Sequence, residues 1–156
     1  ELEITDALDN LLKENDNIGY EKITDYWKDT GTPEDIIHAN GEIIAKHPEY
    51  VCRHNSGQII LGNNCEIGSN VKIEGPVIIG DNCKIQSKGT IGPNVSIGNN
   101  SIISVSLIKN SIIMDNCKIN STTEIKNSII ANNSEIKDVT GSAKVFLLGE
   151  GSKISL

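Results

Sequence analysis

LGNNCEI at residues 61–67, IGDNCKI at 79–85, IGNNSII at 97–103, IMDNCKI at 113–119, IANNSEI at 130–136 and LGEGSKI at 148–154 are six versions of one phrase. Each opens on Leu or Ile, places Cys or Ser four residues on, and closes on Ile six residues on. The openings recur every 16 to 18 residues, and a fixed period of that length marks a stacked solenoid. A helix would bury residues at a period near 3.6 and a half-buried strand at a period of 2. A beat of six, with one large aliphatic and one small residue per hexad, fits a three-sided coil with a short strand on each side. Successive coils then stack their side chains in columns about 4.8 Å apart. Each buried Ile stabilises the stack by roughly 1.5–3 kcal/mol. One coil cannot bury its own face, so several are needed.

The corners agree with this reading. Two and three residues after the openings stand Asn63-Asn64, Asp81-Asn82, Asn99-Asn100, Asp115-Asn116, Asn132-Asn133 and Glu150-Gly151. The second member is always Asn or Gly, the residues that tolerate positive φ, so this column predicts a recurring tight corner. The beat is not uniform. Ser104-Val105-Ser106-Leu107-Ile108 shortens the third coil, and only five residues separate Ile108 from Ile113 and Ile125 from Ile130. One corner of those coils should be tighter by one residue. Residues 137–142 blur the pattern before the last copy restores it.

Composition narrows the function. The chain has 156 residues, a net charge of −7 and a sequence pI near 4.9, which argues against nucleic acid as a partner. No apolar run approaches the roughly 20 residues of a membrane span, and the start ELEITDALDN lacks the basic region of a signal peptide. The expected compartment is the cytoplasm. Aromatics make up only 3%, which suits a narrow β-helix interior. Cys65, Cys83 and Cys117 share the small inward column and read as buried free thiols. Parallel side-chain directions disfavour a Cys65–Cys83 disulfide, and a single column cannot surround a zinc ion.

Residues 1–48 have a different texture. Thr5 can cap a helix carrying Ala7, Leu8, Leu11 and Leu12, ending by residues 15–17. Residues 18–24 read as a strand and 25–31 as a loop holding the only Trp. Thr32-Pro33-Glu34-Asp35 is a strong helix start, with a cap, Pro in the first turn and acids over the positive end. That helix carries Ile36, Ile37, Ile43 and Ile44, is weakened by Gly41 by about 1 kcal/mol, and should stop before Pro48. Two helices and a strand of this length cannot make a stable core, so residues 1–48 are expected to be the trailing edge of something larger upstream. The absence of an initial Met fits a fragment. Residues 49–58 form a connector, of which 50–54 could be a degenerate first side of the solenoid and Asn55-Ser56-Gly57 a turn. Residues 59–156 form the solenoid.

The six-residue phrase resembles the hexapeptide repeat of left-handed parallel β-helices. The hand comes from that resemblance, since it runs against the usual right-handed crossover. The resemblance extends further. Glu1–Asp6 (ELEITD), Trp27-Lys28-Asp29-Thr30-Gly31, Thr32-Pro33-Glu34-Asp35 and the closing stretch FLLGEGS at 146–152 resemble the end of the sugar-1-phosphate nucleotidyltransferases. The match is strongest to long-form glucose-1-phosphate thymidylyltransferases, which join a catalytic domain to such a β-helix. The fold class implied is mainly β: a left-handed parallel β-helix preceded by a small α/β segment with two helices. The reaction implied is glucose 1-phosphate plus dTTP giving dTDP-glucose and pyrophosphate, with uridine as the alternative base. In that family the Asp matching Asp29 is one of two acidic ligands of a catalytic Mg2+, a hard dication suited to carboxylate oxygens. From the residues alone Asp29 reads as a loop carboxylate capping the helix that follows; the resemblance favours the metal role instead. Glu3 and Thr5 could line the sugar pocket, and Trp27 and Lys28 flank the site. The family's glycine-rich phosphate loop and its first magnesium Asp have no counterpart here, so this chain alone is expected to be inactive.

Two rivals follow from the solenoid alone. Hexapeptide-repeat acyltransferases usually rely on a histidine base at a coil surface. The three histidines here are His38, His47 and His54, with none in the coils. The other rival is a stand-alone scaffold that stacks subunits, which agrees with an expected homo-oligomer through the β-helix. Lys72, Lys84, Lys109, Lys118, Lys126 and Lys137 read as an outward, solvated set that blocks edge pairing.

Overall fold

A computed structural model describes residues 3–46, 52–53, 58–86, 88–137 and 146–155. Two helices, α1 (Ile4–Lys13) and α2 (Pro33–Lys46), precede a parallel β-solenoid of about five turns. Three sheets run along it. The first holds Gln58–Leu61, Val77–Ile79, Val95–Ile97, Ser111–Ile113, Ile129–Ile130 and Leu147–Leu148. The second holds Glu66–Ile67, Lys84–Ile85, Ile102–Ser104, Lys118–Asn120, Glu135–Lys137 and Lys153–Ser155. The third holds Lys72–Ile73, Thr90–Ile91, Leu107–Lys109 and Glu124–Lys126.

The repeating aliphatics meet in register. Leu61, Ile79, Ile97, Ile113, Ile130 and Leu148 pair in sequence along the first sheet. Ile67, Ile85, Ile103, Ile119, Ile136 and Ile154 do so along the second. Ile73, Ile91, Ile108 and Ile125 complete the prism. The inner coils are dry: Ile103, Ile108, Ile125, Ile130 and Ile136 are each 0% exposed. The end coils hold Leu61, Ile67, Ile73 and Leu148 only partly buried.

The corners are the expected tight turns. Asn64, Asn82, Asn100, Asn116, Asn133 and Gly151 all have positive φ, between 55° and 71°. The five Asn do more than tolerate that region. Asn64 Nδ2 donates to Asn82 Oδ1, Asn82 to Asn100 and Asn100 to Asn116, each at 3.2 Å. Beside this ladder the first members accept backbone N–H groups from the coil below: Asp81 from Asn63 at 2.6 Å and Asp115 from Asn99 at 2.6 Å. The shortened corner holds Asn110 and Asn127, again at positive φ.

The small inward column also has a polar task. The Cys65 thiol lies 3.0 Å from the Gly80 carbonyl, Cys83 3.1 Å from Gly98 and Cys117 3.2 Å from Ala131. Ser101 reaches Met114 O at 3.2 Å in the same way. Each is a weak S–H or an O–H donor aimed at a carbonyl of the next coil, which is why Cys and Ser alternate there. The three thiols are free, and burial raises the pKa of Cys83 and Cys117. They are packing groups without thiolate character.

Three expectations are corrected. Residues 18–24 form no strand: no strand of a described sheet pairs with them, and β-propensity without a neighbour does not hold an extended ladder. Thr5 sits inside the first turn of α1, and Glu3 is the N-cap, with the Asp6 carboxylate accepting the Glu3 N–H at 3.4 Å. Cys52–Arg53 is no first side of the solenoid. It pairs antiparallel to Gln58–Leu61 and covers the outer edge of the first sheet. The turn at 55–57 and the blurred stretch from 138 lie outside the described residues.

The three sheets differ on their outer faces. Outward positions of the second sheet run Glu66, Lys84, Ile102, Lys118, Glu135, Lys153. Those of the first run Ile60, Ile78, Ser96, Ile112, Ile129, Leu147. A strand apolar on both sides calls for cover on both sides, and over the middle of the stripe that cover is α2. It packs on Val95–Ile97 and Ser111–Ile113, with Ile37 8% and Ile44 1% exposed. The Ser96 hydroxyl donates to Asn40 Oδ1 at 2.6 Å, which fixes the helix over the one polar residue of the stripe. A Cβ at Gly41 would stand 3.4 Å from the Asn94 side chain, an ordinary contact, so the seat of the helix leaves room for one.

Candidate functional site

The loop before α2 is tied to the helix by side chains. Thr32 Oγ1 accepts the Asp35 N–H at 3.2 Å and donates to the Asp35 carboxylate at 2.7 Å. This is a reciprocal cap at the helix start. The Lys28 ammonium meets the same carboxylate at 2.8 Å. The Lys28 hydrogen bond, with that from Thr32, holds the Asp35 carboxyl below its ordinary pKa, and Asp35 in turn raises that of Lys28. Tyr26 stacks on His38, its hydroxyl 3.3 Å from Nδ1, and Lys46 lies 4.6 Å over the Tyr26 ring.

Within this frame Asp29 is exposed and points no bond at the helix cap, because Thr32 and Asp35 already fill that role. Trp27 is 69% exposed. Lys28 is engaged with Asp35 and so is held close to Asp29. Glu3 and Thr5 bond to each other in the first turn of α1, at 3.4 Å. No hydrogen bond or ion pair among the described residues joins them to the 27–29 loop. A magnesium ion usually takes one or two carboxylates plus substrate phosphates and water. Asp29 offers one, and no cluster of three or more His, Cys, Asp or Glu that could hold a metal occurs among the described residues. The residues present do not make a metal site by themselves.

A second concave region was not legible in the motifs. A groove of about 530 Å3 lies between α2 and the solenoid edge that bears Pro76, Asn94, Asn110 and Asn127. His38, an isolated residue in the sequence, lines it from the helix. The signal that could have revealed it is the doubled aliphatics of the first sheet, such as Ile112-Ile113, which favour a cover on the outside. The four Lys that sequence placed outward with a Glu nearby form pairs: Lys72–Glu74, Lys84–Glu66, Lys126–Glu124 and Lys137–Glu135, at 2.5 to 2.8 Å. Such exposed pairs contribute little stability.

Comparison with known proteins agrees with the solenoid. A family model described as the GMPPB C-terminal domain matches residues 73–155, and one described as the hexapeptide repeat of succinyl-transferase matches residues 58–87. The chain is 48% identical over 44 residues to the low-salt glycan biosynthesis nucleotidyltransferase Agl11 of Haloferax volcanii, covering 28% of this chain and 12% of that protein. It is 41% identical over 75 residues to the bifunctional protein GlmU of Methanococcus aeolicus, covering 48% of this chain and 15% of that protein. The matched stretches are thus a small part of these relatives.

Proposed function

The chain belongs to the GMPPB C-terminal domain family, and we propose that it forms the C-terminal portion of a sugar-1-phosphate nucleotidyltransferase. The observation that carries this reading is the order of parts in one chain. The loop Trp27-Lys28-Asp29-Thr30-Gly31 leads into a capped helix, and that helix lies on the outside of a hexapeptide solenoid. A nucleotidyltransferase is also among the relatives by name.

In the proposed reaction an oxygen of the sugar 1-phosphate attacks the α-phosphorus of a nucleoside triphosphate. The new P–O bond forms as the bond to pyrophosphate breaks, giving a nucleoside-diphosphate sugar. Glucose 1-phosphate and dTTP are the substrates we favour, with UTP next. A bound Mg2+ would supply positive charge against the phosphates. Asp29 would supply one carboxylate to it, beside a Lys28 held by Asp35, while the phosphate loop and the second acidic ligand come from outside these 156 residues. Trp27, Glu3 and Thr5 remain candidate substrate contacts. The solenoid serves as a rigid base for the catalytic part and as a surface for self-association, in the cytoplasm. Acyl transfer ranks lower because no histidine follows His54.

The test is pyrophosphate release by the complete reading frame with dTTP, UTP or GTP and glucose 1-phosphate or mannose 1-phosphate, with and without Mg2+. The reading predicts turnover that needs Mg2+ and falls at least a hundredfold in Asp29→Asn, and none from residues 1–156 alone. Turnover by this chain alone, or acetyl-CoA consumption without pyrophosphate release, contradicts it.

A further inference from the structure

The groove beside α2 has two unlike rims. Glu34, His38 and Glu42 follow one another at every fourth position along one helix face, as neighbours on a helix surface do. Opposite stand Asn94, Asn110 and Asn127, one per coil. Asn94 Nδ2 donates to Asn110 Oδ1 at 3.2 Å, and Asn110 Nδ2 to Asn127 Oδ1 at 3.4 Å. Each link uses one amide hydrogen and one lone pair of a group that can form four hydrogen bonds. The ladder therefore keeps spare donors and acceptors at the height of every coil, about 4.8 Å apart. Ile37, Ala45 and Pro76 add apolar surface between the rims.

Charge sorts the ligands that fit. The helix rim carries two carboxylates, and no Lys or Arg lines the groove among the described residues. The Lys46 ammonium lies 3.7 Å from Glu42 and, through its own partners, sits over Tyr26. Carboxylates accept hydrogen bonds from hydroxyl or ammonium groups and repel phosphate. The volume of about 530 Å3 falls among small-molecule sites, roughly 300–1,000 Å3.

We propose that this groove binds a sugar that carries no phosphate, neutral or amino-substituted. Its hydroxyls would meet the Asn94–Asn110–Asn127 ladder and the Glu34 and Glu42 carboxylates, with its C–H face on Ile37 and Pro76. The proposal does not rest on the proposed transfer chemistry: sugar binding here can hold whether or not the complete protein transfers nucleotides.

The test is calorimetric titration of the 156-residue chain with glucose, mannose, glucosamine and N-acetylglucosamine, and with glucose 1-phosphate. At least one unphosphorylated sugar should bind at millimolar concentration, and glucose 1-phosphate at least about tenfold more weakly. Ala45→Phe, at an exposed helix position, should abolish binding without shifting the melting temperature. The double variant Glu34→Gln, Glu42→Gln should narrow the gap between glucose and its 1-phosphate. The proposal is overturned if no sugar binds, if the 1-phosphate binds as well as the free sugar, or if Ala45→Phe binds like the parent. Uptake of spermine without uptake of any sugar would also overturn it, marking the groove as a site for polycations.

Discussion

Helices α1 and α2 are both amphipathic, yet only one is packed. In α1 no residue is buried, and Ile4, Leu8, Leu11 and Leu12 are 41% to 79% exposed. In α2 Ile44 is 1% exposed against the first sheet. The apolar stripe is the cleaner of the two in α1, so amphipathicity does not decide the outcome. What decides it is a receiving surface: the strands Val95–Ile97 and Ser111–Ile113 supply one to α2, pinned by Ser96 and Asn40, and nothing among the described residues supplies one to α1. Burial, not pattern, is what turns an apolar stripe into stability.

The largest test of that contrast is a paired truncation. Ile44→Ala should cost about 2–5 kcal/mol in urea unfolding, whereas Leu11→Ala should stay within about 0.5 kcal/mol, as surface substitutions do. Equal costs would mean that α1 is packed in solution or that α2 is not.

Next in size are the corners, which lie within the solenoid that α2 rests on. Asn82→Ala forces a Cβ-bearing residue without a helpful side chain into positive φ, costing about 1–2 kcal/mol, and also cuts the ladder between Asn64 and Asn100. Asn82→Gly keeps the backbone easy and loses only the ladder. Thermal melts should rank the parent above Gly and Gly above Ala. A Gly variant less stable than Ala would show that the side-chain ladder, and not the φ requirement, fixes this position.

Gly41→Ala sharpens the contrast in the other direction. Ala gains up to about 1 kcal/mol of helix propensity, and the 3.4 Å approach to Asn94 is ordinary contact. The melting temperature should rise slightly. A fall would mean that the seat of α2 on the solenoid is tighter than this.

The smallest effect concerns the loop between the two helices. The Asp35 carboxyl is held low, so its contribution is present above the ordinary carboxylate pKa near 3.8 and is lost as pH falls through its lower folded value. Lys28 is raised, so its contribution is present below its ordinary pKa near 10.5 and is lost as pH climbs through the folded value. Between those limits the loop stays tied to α2. Trp27, the only Trp, should change emission on acidification below pH about 4, and Asp35→Asn should show the released emission at neutral pH.

The solenoid was legible because its beat repeats. Six phrases agreed at the inward Ile, at the small column and at the Asn or Gly corners, and the structure returns each in register. The seat of α2 was not read, although the doubled aliphatics at Ile78-Ile79 and Ile112-Ile113 carried it. A hexad template scores the inward residue and says nothing of its outward neighbour. The strand expected at 18–24 failed for the opposite reason: apolar Ile18 and Ile23 suggested a sheet that offers no edge to them. In the candidate site, Thr32 and Asp35 were readable as a cap from local chemistry. Asp29 was singled out only by resemblance, because its exposed carboxylate makes no contact that spacing could encode. The Lys28–Asp35 pair and the groove needed three dimensions, since a loop-to-helix contact and a helix-to-coil contact leave no periodic trace.

Amide hydrogen exchange resolved by residue tests the contrast most directly. The account predicts that α2 from Ile37 to Ile44 exchanges as slowly as the inner coils around Ile103 and Ile119, while α1 and residues 18–31 exchange within the dead time. Protection of α1 equal to that of α2, or exchange of α2 as fast as α1, would contradict it.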